Sequence, residues 1–270
     1  MIIKTDEDYF FIKQSSLLVG KTLGELTKHI KPGVQTKKLD AIAEDFIFSH
    51  GGKPVFKGYK GYPATLCISV NDVVVHGIPS ETELKEGDIV SIDCGVSMNG
   101  YIGDYAYSFA LGELNENRQK LLDVTRMSLS KGISVAITGN RTGDIGFAIQ
   151  SYVESKGFSV VRELIGHGVG RQLHEKPEIP NYGKKGKGVR LEENMVICIE
   201  PMINMGKKEV VQAKDGWTIR THDGLPSAHY EHMVIVKNDY PEVLSTYEFI
   251  EENIKKNIWL NNRLLNKMEL

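Results

Sequence analysis

The 270-residue chain is 41% hydrophobic and 25% charged, values ordinary for a globular protein with a sizeable core. A formal net charge of −2 gives no general electrostatic reason to bind nucleic acid or an anionic membrane, so neither is expected as a partner. Three cysteines without C-x-x-C spacing (Cys67, Cys94, Cys198), a first 31 residues lacking a signal-peptide core and cleavage site, and no apolar run near the roughly 20 residues that span a bilayer predict a reduced, cytoplasmic protein.

In chain order, Thr5 followed by Asp6, Glu7 and Asp8 predicts a helix start with acid at the positive end of the dipole, and Lys31-Pro32-Gly33 its stop. Thr36 is the expected N-cap of a second helix, in which Leu39, Ile42, Ala43 and Phe46 recur at helical spacing before Gly51-Gly52. Strand patterns follow at 64–70, 72–76, 88–96 and 101–111. Helical spacing returns from 115 to 137, and Thr142 is read as the cap of another helix with Ile145, Ala148, Ile149 and Tyr152 on its apolar side. Further strands are expected at 158–161, 196–199, 217–220 and 232–235. Two helices then strands, twice over, predict an α+β fold of two related halves sharing one sheet, with helices over one face. The run GKKGKGV at 183–189 lacks the G-x-x-x-x-G-K-[ST] pattern and reads as a solvated turn. Near the end, Ile250, Ile254, Ile258, Leu264, Leu265 and Met268 form an apolar stripe on a predicted helix, expected to pack on the domain or on a partner.

The chemistry concentrates in three places. In ELIGHGVGRQLHEKPEIPNY (163–182), Gly166, Gly168 and Gly170 alternate with larger residues, as in a strand whose backbone comes close to something. Its histidines, His167 and His174, cannot form an H-E-x-x-H helix because Pro177 breaks it, so any metal they bind sits on strands and loops. Between Asp93 and Asp104, Asn99-Gly100 signals a two-residue hairpin turn. Pairing Met98 with Tyr101 then sets Asp93 opposite Ala106, which makes the two carboxylates diagonal neighbours on one face at roughly 7–8 Å, repelling one another unless a cation intervenes. Glu200 and Glu231 lie in or beside apolar strands, where an unpaired carboxylate is costly. Four carboxylates and a neutral imidazole carry a formal charge that two divalent ions cancel, and this donor set suits Mn, Fe, Co or Zn.

With NDVVVHGIP (71–79), SIDCG (91–95), GDYA (103–106), GHGVGRQLHEKP, IEPM and SAHYEHMV in this order, the chain resembles the type I methionine aminopeptidases from near its beginning to about Leu244. The resemblance implies the pita-bread fold, a pseudo-twofold curved antiparallel sheet covered by helices, and removal of initiator methionine from nascent chains when the second residue is small. It implies Asp93, Asp104, His167, Glu200 and Glu231 as ligands of two divalent ions, with Asp104 and Glu231 bridging and Glu200 also shuttling a proton. It further implies His76 and His174 as substrate-contacting catalytic groups, and Tyr59, Tyr62, Cys67 and Trp217 as the methionine pocket. Leu173, Leu164 and His229 depart from the residues usual in the family and bring the shape of the pocket into question. A bacterial-type short form is implied, acting as a monomer on nascent chains near the ribosome, with a single catalytic domain over 1–246 and a C-terminal helical extension over 247–270.

Overall fold

A computed structural model describes residues 1–260. Helix α1 (Asp6–Thr27) starts as its sequence predicts: the Thr5 hydroxyl accepts from the Asp8 amide, and the Asp8 carboxylate accepts from the Thr5 amide. It ends before Lys31-Pro32-Gly33, because the Lys28 and His29 amides turn back onto the carbonyls of Glu25 and Leu26. Helix α2 spans Thr36–Ser49, α3 Glu116–Ser134 and α4 Thr142–Ser155. Neither Thr36 nor Thr142 caps its helix; each is the first helical residue, after Gln35 and Arg141. The Thr36 hydroxyl is engaged with the backbone of Ser80, tying α2 to the loop before the Ile89–Met98 strand.

All pairings between extended strands are antiparallel. The hairpin of Ile89–Met98 and Tyr101–Ala110 has the expected register, Met98 opposite Tyr101, Asp93 opposite Ala106 and Gly95 opposite Asp104. Asn99 (φ 53°) and Gly100 (φ 77°) make its turn, both in the left-handed region that a two-residue hairpin requires. The strand Leu66–Val70 pairs on the other edge and places Cys67 opposite Asp93. A second sheet is centred on Val196–Ile199, with His232–Ile235 on one side and Gly166–Gly168, then Glu175–Ile179, on the other. Two smaller sheets, one through Met202–Asn204 and Ser227–His229 and one through Val73–Val75 and Ile219–Thr221, complete the curved surface. The expected shared sheet is therefore assembled from four sheets, and the Glu231 amide links two of them by donating to the Ala106 carbonyl (3.1 Å). The 217–220 strand begins later than expected: Trp217 lies in a turn whose amides at 217 and 218 donate to the Asp215 carboxylate.

Helix α1 lies over the hairpin, and α3 and α4 pack against each other over the second half. Helix α5 (Glu248–Ile254) is shorter than the predicted tail helix and packs along α1. There Gly20 and Gly24 leave room for Phe249 and the Tyr105 hydroxyl; a Cβ on Gly20 would stand 2.2 Å from that oxygen. Ile250 and Ile254 are buried as expected, but Ile258 is 84% exposed, since the chain has left the helix by then. Leu264, Leu265 and Met268 lie outside the described residues.

Candidate metal centre and substrate cavity

The four carboxylates and His167 converge between the two halves. Asp104 comes from the hairpin, Glu231 from the segment entering His232–Ile235, Glu200 from the end of Val196–Ile199, and His167 from Gly166–Gly168. The Gly166–Gly168 strand fits so tightly that a Cβ on Gly166 would stand 2.3 Å from the Cys198 carbonyl and one on Gly168 2.4 Å from that of Lys176. This is the close backbone approach the alternating glycines imply.

His167 Nε2 lies 3.6 Å from Glu200 Oε1 and 3.8 Å from Asp104 Oδ2. Its Nδ1 is 2.9 Å from the Gly168 carbonyl, so that nitrogen carries the proton and Nε2 turns a lone pair to the carboxylates. Burial lowers the His167 pKa to about 4 and keeps the ring neutral. Burial also raises Asp93 to about 7 and, with the neighbouring carboxylates adding, lifts Asp104, Glu200 and Glu231 well above the usual range. No lysine or arginine pairs with any of the four among the described residues, and Asp93 Oδ1, Asp104 Oδ1 and Glu231 Oε1 are buried without a hydrogen-bond partner. Orphaned acceptors of this kind, with an imidazole lone pair aimed among them, are what divalent cations satisfy.

Next to the carboxylates is a cavity of about 320 Å³. All eleven sequence-predicted site residues line it: the five ligands, His76 and His174, and Tyr59, Tyr62, Cys67 and Trp217. Tyr62 and Trp217 meet edge to face with centroids 5.1 Å apart, and the Tyr62 hydroxyl donates toward the carbonyls of Leu66 and Gly77. His76, at φ 57°, holds a strained backbone conformation that turns its ring toward Trp217. Burial lowers its pKa to about 4.

Residues 11–238 match the Metallopeptidase family M24. The chain belongs to that family. It is thus a peptidase and a hydrolase. It is 49% identical over 245 residues to a methionine aminopeptidase of Clostridium perfringens (91% of this chain, 98% of that protein). It also superposes on the crystal structure of methionine aminopeptidase from Rickettsia prowazekii with a TM-score of 0.89 at 42% identity (91% of this chain, all of that one). A prolidase from Pyrococcus furiosus, at 22% identity and a TM-score of 0.74 over 92% of this chain and 66% of that one, shares the fold alone. The M24 architecture here is the pita-bread α+β fold that the motifs imply.

Two residues of this M24 site escape sequence reasoning as donors. Cys198, read only as a reduced thiol, has Sγ in one group with Asp104, His167 and Glu231, all donor atoms within 4.8 Å of one another. His229 does not line the cavity. It is buried behind Glu200, with Nε2 3.6 Å from Glu200 Oε2, and forms a second donor group with Glu200 and Glu231. The other two departures, Leu164 and Leu173, do line the cavity.

Proposed function

We propose that this M24 peptidase hydrolytically removes N-terminal methionine from nascent chains whose second residue is small, using two divalent ions held by Asp93, Asp104, His167, Glu200 and Glu231. The observation that carries the reading is the set of buried carboxylate oxygens with no partner among the described residues, beside a cavity with an aromatic wall. Paired divalent ions, when bound, activate water and polarise a carbonyl. The chain's own residues supply the rest. Glu200, which lines the cavity, takes a proton from the attacking water and passes it to the leaving amine. His174 donates to the oxygen on which charge develops, and His76 contacts the scissile amide. Tyr62, Trp217, Tyr59 and Cys67 wall a slot that suits a flexible thioether.

The free α-amino group approaches the acidic cluster, so formylation or acetylation should abolish turnover. Cobalt, manganese, iron and zinc all suit the donor set. The enzyme acts as a monomer in the cytoplasm, on chains emerging near the ribosome, with residues 1–246 as its catalytic domain. Peptides beginning Met-Gly, Met-Ala and Met-Ser should be cleaved, and Met-Lys and N-formyl-Met peptides should not. Leucine should be a poor substrate but not an excluded one, because a misfit of about a methylene changes discrimination by only about 1–3 kcal/mol. Norleucine and ethionine should be accepted, because Leu173 stands where a larger side chain is usual. Measurement of kcat/KM across this set, with each metal restored singly to metal-free protein, decides the matter. Efficient cleavage of Xaa-Pro peptides lacking methionine would instead assign a proline-directed activity.

A further inference from the structure

Tyr59 does more than wall the cavity. Its hydroxyl lies 2.7 Å from His174 Nδ1, and no other hydrogen bond to the His174 ring is made among the described residues. The two rings meet at 60° with centroids 5.2 Å apart, and the imidazole also meets the His167 ring, with centroids 4.4 Å apart. Tyr59 opens a single 3₁₀ turn, Tyr59–Gly61; Gly58 just before it (φ 88°) and Lys60 (φ 48°) and Gly61 (φ 89°) within it all lie in the left-handed region. The turn is closed by amide bonds from Gly58 to the Tyr62 carbonyl (2.7 Å) and from Tyr59 to that of Phe56 (2.9 Å). A non-glycine residue at positive φ, here Lys60, is strained and persists only where the surroundings impose it. Here that turn delivers one phenol to one ring nitrogen.

A neutral imidazole carries a single N–H, and the partner of one nitrogen decides which nitrogen holds it. We propose that Tyr59 is a positioning residue for His174: its hydroxyl donates to Nδ1 and so keeps the ring proton on Nε2, the nitrogen left to donate to substrate. The proposal rests on the donor role given to His174 above. A Tyr59 that served only as a wall would be replaced by phenylalanine without consequence, since the ring and its packing are retained.

The test combines spectroscopy on metal-free protein with kinetics on the metal-loaded enzyme. In histidine-¹⁵N-labelled protein, with the His174 signals assigned by their loss in H174A, long-range ¹H–¹⁵N spectra report which nitrogen is protonated. The wild type should show His174 with the proton on Nε2, and Y59F and Y59L a mixture of tautomers. On a Met-Ala-Ser peptide, Y59F should lower kcat about 10-fold with KM within about twofold. Added to H174A, it should cost less than about twofold more, because both changes remove one function. A wild-type proton on Nδ1 would overturn the proposal, as would an unchanged tautomer in Y59F or a Y59F effect confined to KM. Should H174A keep full turnover, the donor role of His174 falls and the kinetic consequence with it, while the spectra still decide what Tyr59 does to the ring.

Discussion

Asp93 shows how little of a site is local. Alone it is a carboxylate in a strand; its register opposite Cys67 and Ala106 sets it beside Asp104 at the edge of the cavity. On the proposed reading, removing a carboxylate from this cluster removes charge that would hold cations, whereas removing His76 or His174 removes a group that would address substrate. D93A and E231A should therefore lose both bound metal and turnover. H76A and H174A should keep metal and lose about 10²-fold or more in rate, as expected for a positioned acid or oxyanion donor. Metal content of the purified variants, measured beside kcat, separates the two groups, and a metal-free H174A would contradict the division. The Asp93–Asp104 geometry was legible because a two-residue turn fixes every pairing in its hairpin. The proximity of His229 to Glu200 was not, since it depends on how Ser227–His229 docks on Met202–Asn204.

Among the elements, α5 does unexpected duties. The Asn253 side-chain amide donates to the Gly24 carbonyl (3.1 Å), and that of Asn257 to the carbonyls of Thr27 (2.7 Å) and, just past α1, Ile30 (2.9 Å), so the tail satisfies two of the last carbonyls of α1 and one in the loop after it. Just before α5, the Tyr247 hydroxyl lies 2.8 Å from the carbonyls of both Ala106 and Glu231, bracing the segments that carry Asp104 and Glu231. I250A should cost about 2–5 kcal/mol, the range for emptying a buried aliphatic site. G20A should cost about 1–3 kcal/mol through its clash with the Tyr105 hydroxyl. Deleting residues 248–270 should lower the melting temperature clearly, and an unchanged melting curve would show that α5 contributes no packing. Helical periodicity identified the buried side chains Ile250 and Ile254. It did not reveal that the helix stops at Ile254, nor that Asn253 and Asn257 reach carbonyls of α1 and of Ile30, more than 200 residues away in sequence.

Over the whole molecule, the site makes stability depend on pH and metal together. With no cation bound, the folded state keeps protons on Asp93, raised to about 7, and on Asp104, Glu200 and Glu231, raised well above the usual range. The unfolded chain releases these protons near pH 4, so they make folding stability fall as pH rises. The buried histidines oppose this: His76 and His167 are lowered to about 4, and His229 and His232 to about 3. Their opposing effect is complete above the unfolded imidazole value near 6.5. Melting temperatures of metal-free protein should therefore decline from about pH 6.5 upward, and the rise produced by added divalent metal should grow over the same interval. Thermal melts with chelator and with metal across that range test this, and a metal-free curve that stays flat or climbs would refute it. By itself the sequence determined the helices, the hairpin register and the types of donor, because turn chemistry, periodicity and the cost of burying an unpaired carboxylate all act over a few residues. Only the tertiary structure decided that the curved surface is built of four sheets, that Cys198 and His229 stand among the donors, and that Tyr59 meets His174. These follow from how segments far apart in the chain pack together, and no local pattern encodes that.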